Sequence, residues 1–118
     1  MGRLTTHVLD TSTGLPAAGL DITLWTVGAD GSRRRLSDHR TNTDGRVDRP
    51  ILEGEAFVPG TYELVFAVGD YFRRNGTPLS EPPFLDVVPL RFGIAAGTTH
   101  LHVQLLVAPY GYSTYRGS

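Results

Sequence analysis

Two histidines set two residues apart, His100 and His102, are the first side chains here that invite a chemical reading. If residues 98–107 form one strand, side chains alternate between its faces, and Thr98, His100, His102 and Gln104 make one polar stripe. Leu101, Val103 and Leu105 then point the other way, toward a core. Imidazole titrates near neutral pH, so such a pair can accept and return protons. The same stripe can also be plain solvent exposure of a strand face. His7 lies in Leu4-Thr5-Thr6-His7-Val8-Leu9-Asp10, where Leu9 interrupts the alternation on its face. By spacing alone it reads as a surface strand histidine. Arg46, directly after Asp44-Gly45, reads on its own as a solvated turn arginine. His39 sits beside Arg40 and downstream of Arg33-Arg34-Arg35, a charge run expected on a solvated strand face.

Several other chemistries lack support. The chain has no Cys, which excludes a disulfide scaffold, a thiolate zinc site and a Cys nucleophile. A zinc triad of His-x-His with a third imidazole is conceivable, but nothing in the spacing fixes the third ligand, and neither metal nor cofactor is expected. There is no Gly-x-Ser-x-Gly elbow for a Ser nucleophile and no P-loop pattern. Asn75-Gly76-Thr77 matches a glycosylation sequon, which matters only in a secreted protein.

The elements that must position these groups are short and β-prone. Thr5 to Leu9, Leu20 to Val27, Arg33 to Thr41, Tyr62 to Val68, Leu85 to Phe92, Thr98 to Val107 and Tyr112 to Arg116 read as strands. They are separated by turn punctuation such as Asp30-Gly31 and Thr43-Asp44-Gly45. This cadence predicts an antiparallel sandwich or barrel rather than βαβ units. One short helix is expected, capped by Asp70, formed by Tyr71 to Arg74 and stopped at Asn75-Gly76. Pro50, Pro59 and Pro89 belong at strand ends or edges, because proline cannot donate to a ladder. The tail, Tyr110 to Ser118, carries three tyrosines, so it is expected to pack against its own sheet or a second subunit and to bring an arginine and its last residues to a site.

A length of 118 residues supports one domain, 1–118, with a real core. A net charge of −1 gives no broad field to attract nucleic acid or an anionic membrane. Apolar runs such as Leu105 to Ala108 are too short to span a bilayer. Met1-Gly2-Arg3-Leu4 leads straight into patterned sequence without a secretory apolar region, which points to a soluble, cytoplasmic protein.

Taken in order, the motifs resemble those of the 5-hydroxyisourate hydrolases, the transthyretin-related proteins. The resemblance runs through Leu4 to Thr11, Gly14 to Ala17, Thr41 to Arg46, Tyr62 to Phe66 and Gly69 to Phe72. It continues with Val88 to Ile94, His100 to Val103, Pro109, Tyr112 to Thr114 and the tetrapeptide Tyr115-Arg116-Gly117-Ser118. It implies a mostly β, transthyretin-like (prealbumin-like) sandwich of eight antiparallel strands with one short helix. It also implies a homotetramer, a dimer of dimers, whose sites lie in a channel at the subunit interface on the outer face of one sheet.

By that resemblance His7, Arg46 and His102 match the catalytic trio, with His7 and Arg46 also contacting substrate. Tyr115 and Ser118 match substrate-binding residues of the tail, and His100 and Arg116 take supporting places. Gln104 and Ala108 depart from the pattern, standing where the family has Pro and Ser. The implied reaction opens the ring of 5-hydroxyisourate, a product of urate oxidation, to 2-oxo-4-hydroxy-4-carboxy-5-ureidoimidazoline. Water attacks a cyclic amide with histidine as base and arginine on the developing charge. The alternative is a transthyretin-type protein that binds a small ligand without chemistry; a third reading, a structural or adhesion module, would call for a signal peptide or tandem domains.

Overall fold

The structure is a computed structural model that describes residues 2–118; Met1, where the predicted leaderless start begins, lies outside them. In chain order the strands are β1 (Arg3–Asp10), β2 (Leu15–Pro16), β3 (Asp21–Val27), β4 (Arg33–Arg40) and β5 (Leu52–Glu53). A 3₁₀ turn at Gly54–Ala56 leads to β6 (Gly60–Phe66), which runs almost directly into helix α1 (Val68–Arg74). Then come β7 (Val88–Ile94), β8 (His100–Ala108) and β9 (Gly111–Gly117). One sheet has the order β2-β1-β8-β9 with β5 also on β1, and the other has the order β4-β3-β6-β7. This is the expected β-sandwich with one short helix; the two-residue pieces β2 and β5 bring the strands among the described residues to nine.

Alternation decides what each strand buries. Leu4, Thr6, Val8 and Asp10 of β1 and Leu101, Val103, Leu105 and Val107 of β8 face inward. They meet Ile22, Leu24, Leu64, Phe66, Val88 and Leu90 of the opposing sheet. The pairing is antiparallel throughout except between β1 and β8, which run parallel. A parallel pair needs a long crossover, and here the crossover is the whole second sheet with α1. Pro89 lies on β7, an edge strand, where its missing donor costs no ladder bond.

The starts of the helix and of β7 differ from the sequence reading for one shared reason. The helix starts at Val68 rather than behind Asp70, and its N-cap, Ala67, makes no side-chain capping bond. Instead the Gly69 N–H donates to the carbonyl of Asp86 (2.7 Å), satisfying one of the helix's orphan donors from outside. Val68 and Phe72 are thereby buried, and Asp70 sits in the first turn paired with Arg73 (2.9 Å). Because Asp86 is bound to the helix, Leu85 to Val87 cannot join the sheet, and β7 begins at Val88 instead of Leu85. Gly76, with φ of 73°, ends the helix as expected.

β1 is anchored at its end by Asp10. Its carboxylate accepts from the Tyr71 hydroxyl (2.8 Å) at one oxygen and from the Ser12 N–H and hydroxyl (2.9 and 2.5 Å) at the other. Burial and the neighbouring carboxylate push the Tyr71 phenol up to about 12, so it remains a donor. Tyr71→Phe keeps the ring packing and deprives a buried carboxylate oxygen of its donor, for an expected loss of about 1–3 kcal/mol. Urea unfolding with an unchanged m-value would read this loss; an unchanged midpoint would mean the bond contributes nothing net.

Candidate active site

The outward faces of β1 and β8 carry the polar groups, and their parallel register brings them side by side. Arg3 stands opposite His100, Thr5 opposite His102, and His7 opposite Gln104. The stripe foreseen on one strand is therefore two strands wide. His100, His102, Gln104, Thr5 and His7 are all half-buried.

The loop from Asn42 to Arg46 supplies the guanidinium. Asn42 Oδ1 accepts from the N–H groups of Asp44 (2.9 Å) and Arg46 (3.1 Å), and the Asn42 N–H donates to the Arg46 carbonyl (2.7 Å). Gly45, with φ of 72°, closes the turn, and a Cβ there would run into the Val8 carbonyl. The close approach is needed because the Val8 N–H donates to the Gly45 carbonyl (2.9 Å) and His7 forms a bridge with Arg46. Thus Arg46, an isolated turn residue in the sequence, is tied through its backbone to the strand that carries His7.

β9 forms the far wall. It pairs with β8 so that Tyr115 is opposite Gln104 and Gly117 opposite His102. The tail does pack on its own sheet, but through its ladder: Tyr110, Tyr112 and Tyr115 remain largely exposed. These walls enclose a cleft of about 460 Å³ whose lining includes Arg46, His100, His102, Gln104, Tyr115 and Ser118. Arg3, Thr5, Thr6, Val47 and Gly117 complete the lining, and no Asp or Glu side chain belongs to it. His7 is not in the lining and connects to it through Gln104. Arg116 points away from the cleft, and its guanidinium donates to the His100 carbonyl (3.1 Å).

Short hydrogen bonds link the imidazoles. Thr5 Oγ1 lies 2.7 Å from His102 Nδ1 and 3.1 Å from His100 Nε2. Gln104 Oε1 lies 3.2 Å from His102 Nε2, and Gln104 Nε2 lies 3.0 Å from His7 Nδ1. Burial lowers the pKa of His102 below its ordinary 6.5; Arg46, His7 and His100 add to that effect, and the bond from Gln104 opposes it. A neutral imidazole at pH 7 beside a guanidinium is the arrangement that activates water and meets negative charge on an attacked carbonyl.

Thr5 and Gln104 were not singled out as site residues from the sequence. Thr5 was within reach, since it shares strand parity with His7. His39 lies elsewhere, on β4 in the other sheet, bonded to Ser37 (2.7 Å). Among the described residues no group of three or more His, Asp or Glu side chains is placed to hold a metal. Nor is any helix among them long and apolar enough to cross a membrane.

Gly117 has a steric duty. A Cβ at this position would lie 2.6 Å from His102 Cδ2, so Gly117→Ala must displace the ring from Thr5 and Gln104. Turnover is expected to fall at least about tenfold, toward the 10² that a 1 Å misplacement costs, with little change in thermal midpoint. Unaltered kcat in this variant would show that the ring position is not critical.

The profile of the HIUase/Transthyretin family matches residues 4–117. The chain is 60% identical over 117 residues to 5-hydroxyisourate hydrolase 2 of Rhizobium meliloti (strain 1021), covering 99% of this chain and 97% of that protein. Among solved structures, Klebsiella pneumoniae 5-hydroxyisourate hydrolase superposes with a TM-score of 0.81 at 35% identity, covering 100% of both chains. The crystal structure of (S)-allantoin synthase superposes with a TM-score of 0.92 at 46% identity, covering 99% of this chain. This chain spans only 44% of that longer protein.

Proposed function

This chain belongs to the HIUase/Transthyretin family, and from that membership we infer that it is an enzyme that hydrolyses 5-hydroxyisourate. Hydrolysis adds the oxygen of water to the carbonyl carbon of the cyclic amide and breaks its C–N bond. The water's proton ends on the departing ring nitrogen. The product, 2-oxo-4-hydroxy-4-carboxy-5-ureidoimidazoline, belongs to urate degradation.

His102 and His7 handle the proton, and Arg46 meets the charge on the attacked oxygen. Tyr115 and Ser118 hold the flat, polar ring, while His100 supports His102 through Thr5, and Arg116 holds the His100 backbone. One observation supports this division above all: His102 and the Arg46 guanidinium share a cleft free of Asp and Glu side chains, and Gln104 in its lining couples His102 to His7 behind it. A carboxylate would raise the imidazole pKa and would repel charge building on the substrate. No step requires a covalent nucleophile or a cofactor.

Residues 1–118 act as one catalytic domain within a homotetramer, a dimer of dimers in the cytoplasm, with the cleft at the subunit interface. The exposed Tyr110, Tyr112 and Tyr115 and the open outer edge of β9 support an assembled form. The direct test of the activity generates the substrate from urate with urate oxidase and follows the decay of its ultraviolet absorbance. Decay accelerated in proportion to added protein is expected; decay no faster than without it would overturn the assignment.

A further inference from the structure

Gln104 touches both imidazoles assigned to proton handling, and an amide is not symmetric. Its oxygen only accepts and its nitrogen only donates. With Oε1 at His102 Nε2 and Nε2 at His7 Nδ1, the bonds form only when His102 carries a proton on Nε2 and His7 leaves Nδ1 bare. A neutral His7 then carries its proton on Nε2. The same sense runs on through Thr5: its hydroxyl donates to the bare Nδ1 of His102 and accepts from Nε2–H of His100. The four bonds form at once, in a single direction, with every imidazole neutral.

We propose that Gln104 is a positioning residue that sets the tautomers of His102 and His7 and couples them as one proton-handling unit. The proposal deepens the hydrolase reading and rests on it for its kinetic consequences. Gln104 shares the outward face with His102, opposite His7 on β1 and Tyr115 on β9, and its side chain spans the gap between the two rings. Among the described residues, the side-chain hydrogen bonds that connect His7 to His102 run through Gln104. The charged and titratable groups that share this environment are Arg3 and His7 on β1, His100 on β8, Tyr115 on β9 and Arg46 in its loop. Among so many cations and no side-chain carboxylate, a neutral bridge leaves the imidazoles unprotonated where an acidic one would favour imidazolium.

Two variants separate positioning from mere packing. Gln104→Met keeps length and loses both bonds, so kcat is expected to fall about 10-fold or more with KM within about twofold, the signature of lost orientation. Gln104→Glu offers two acceptors and a negative charge, which forces the His7 proton to Nδ1. It is expected to raise the acid limb of the pH profile by about 1–3 pH units. Imidazole ¹⁵N spectra of histidine-labelled protein read the tautomers without turnover. Wild type is expected to show bare Nδ1 and protonated Nε2 on both rings, Gln104→Met a tautomer mixture at His7, and Gln104→Glu a protonated His7 Nδ1. A His7 protonated on Nδ1 in wild type would overturn the proposal, as would Gln104→Met with wild-type kcat and pH limb. Wild-type protein inert toward 5-hydroxyisourate would instead overturn the hydrolase reading, and the spectra would still decide the tautomers.

Discussion

Alanine in place of His102 is expected to cost about 10²–10⁴-fold in kcat, the worth of a well-placed proton-transfer group. The protein should remain folded. His102 faces outward from β8, while Leu101 and Val103 on either side hold the core. The lost groups are its bonds to Thr5 and Gln104, which makes the chain of imidazoles discontinuous. The pH dependence carries a signature. Because burial chiefly, with Arg46, His7 and His100, depresses the pKa of His102, the base takes up a proton less readily than an ordinary imidazole. The acid limb of wild-type kcat/KM should therefore lie below the ordinary imidazole value of 6.5. The folded protein also takes up this proton less readily than the unfolded chain. Stability consequently declines as pH falls below 6.5 through the lowered value. His102→Ala should lose both effects, and wild-type turnover in that variant would remove His102 from the mechanism.

Arg46→Lys should lower kcat by about 10²–10³-fold, comparable to removing one donor from an oxyanion site. The substitution keeps the charge and the backbone, whose bonds to Asn42 and bridge to His7 do not involve the side chain. What disappears is the planar fork of donors, which an ammonium cannot reproduce. Steady-state kinetics on the urate oxidase-coupled substrate would separate the outcomes. A fall in kcat with similar KM identifies a contact made in the transition state. Kinetics like those of wild type would reduce Arg46 to a point charge.

Local pattern carried much of this molecule. Period-two alternation around His100 and His102 placed their strand, its buried face and its polar stripe, because a half-buried strand writes its orientation into every second residue. The turns at Asp30-Gly31 and Asp44-Gly45 were likewise written in residues that tolerate positive φ. What was illegible is pairing at long range. No local feature of Leu4 to Asp10 says that this strand lies parallel to β8, or in which register, so Thr5 and His7 could not be set beside His102 and Gln104. Arg46 looked like any solvated turn residue until its backbone met His7. The helix start went astray for the same reason, since its donor was satisfied by Asp86, sixteen residues beyond Asp70 in the chain. Gln104, registered as a departure from a family pattern, gained meaning only once both rings beside it were seen.

The parallel union of β1 with β8 has a consequence for how activity arises during folding. Each half of the site is carried by a segment separated from the other by about ninety positions of chain, so neither hairpin nor local collapse can assemble it. Contacts of such separation form late and slowly, after the entropy of closing a long loop has been met. A nascent polypeptide emerging from the ribosome holds His7 and Arg46 long before His102 exists. Catalytic competence in this protein therefore cannot precede the docking of β8 on β1.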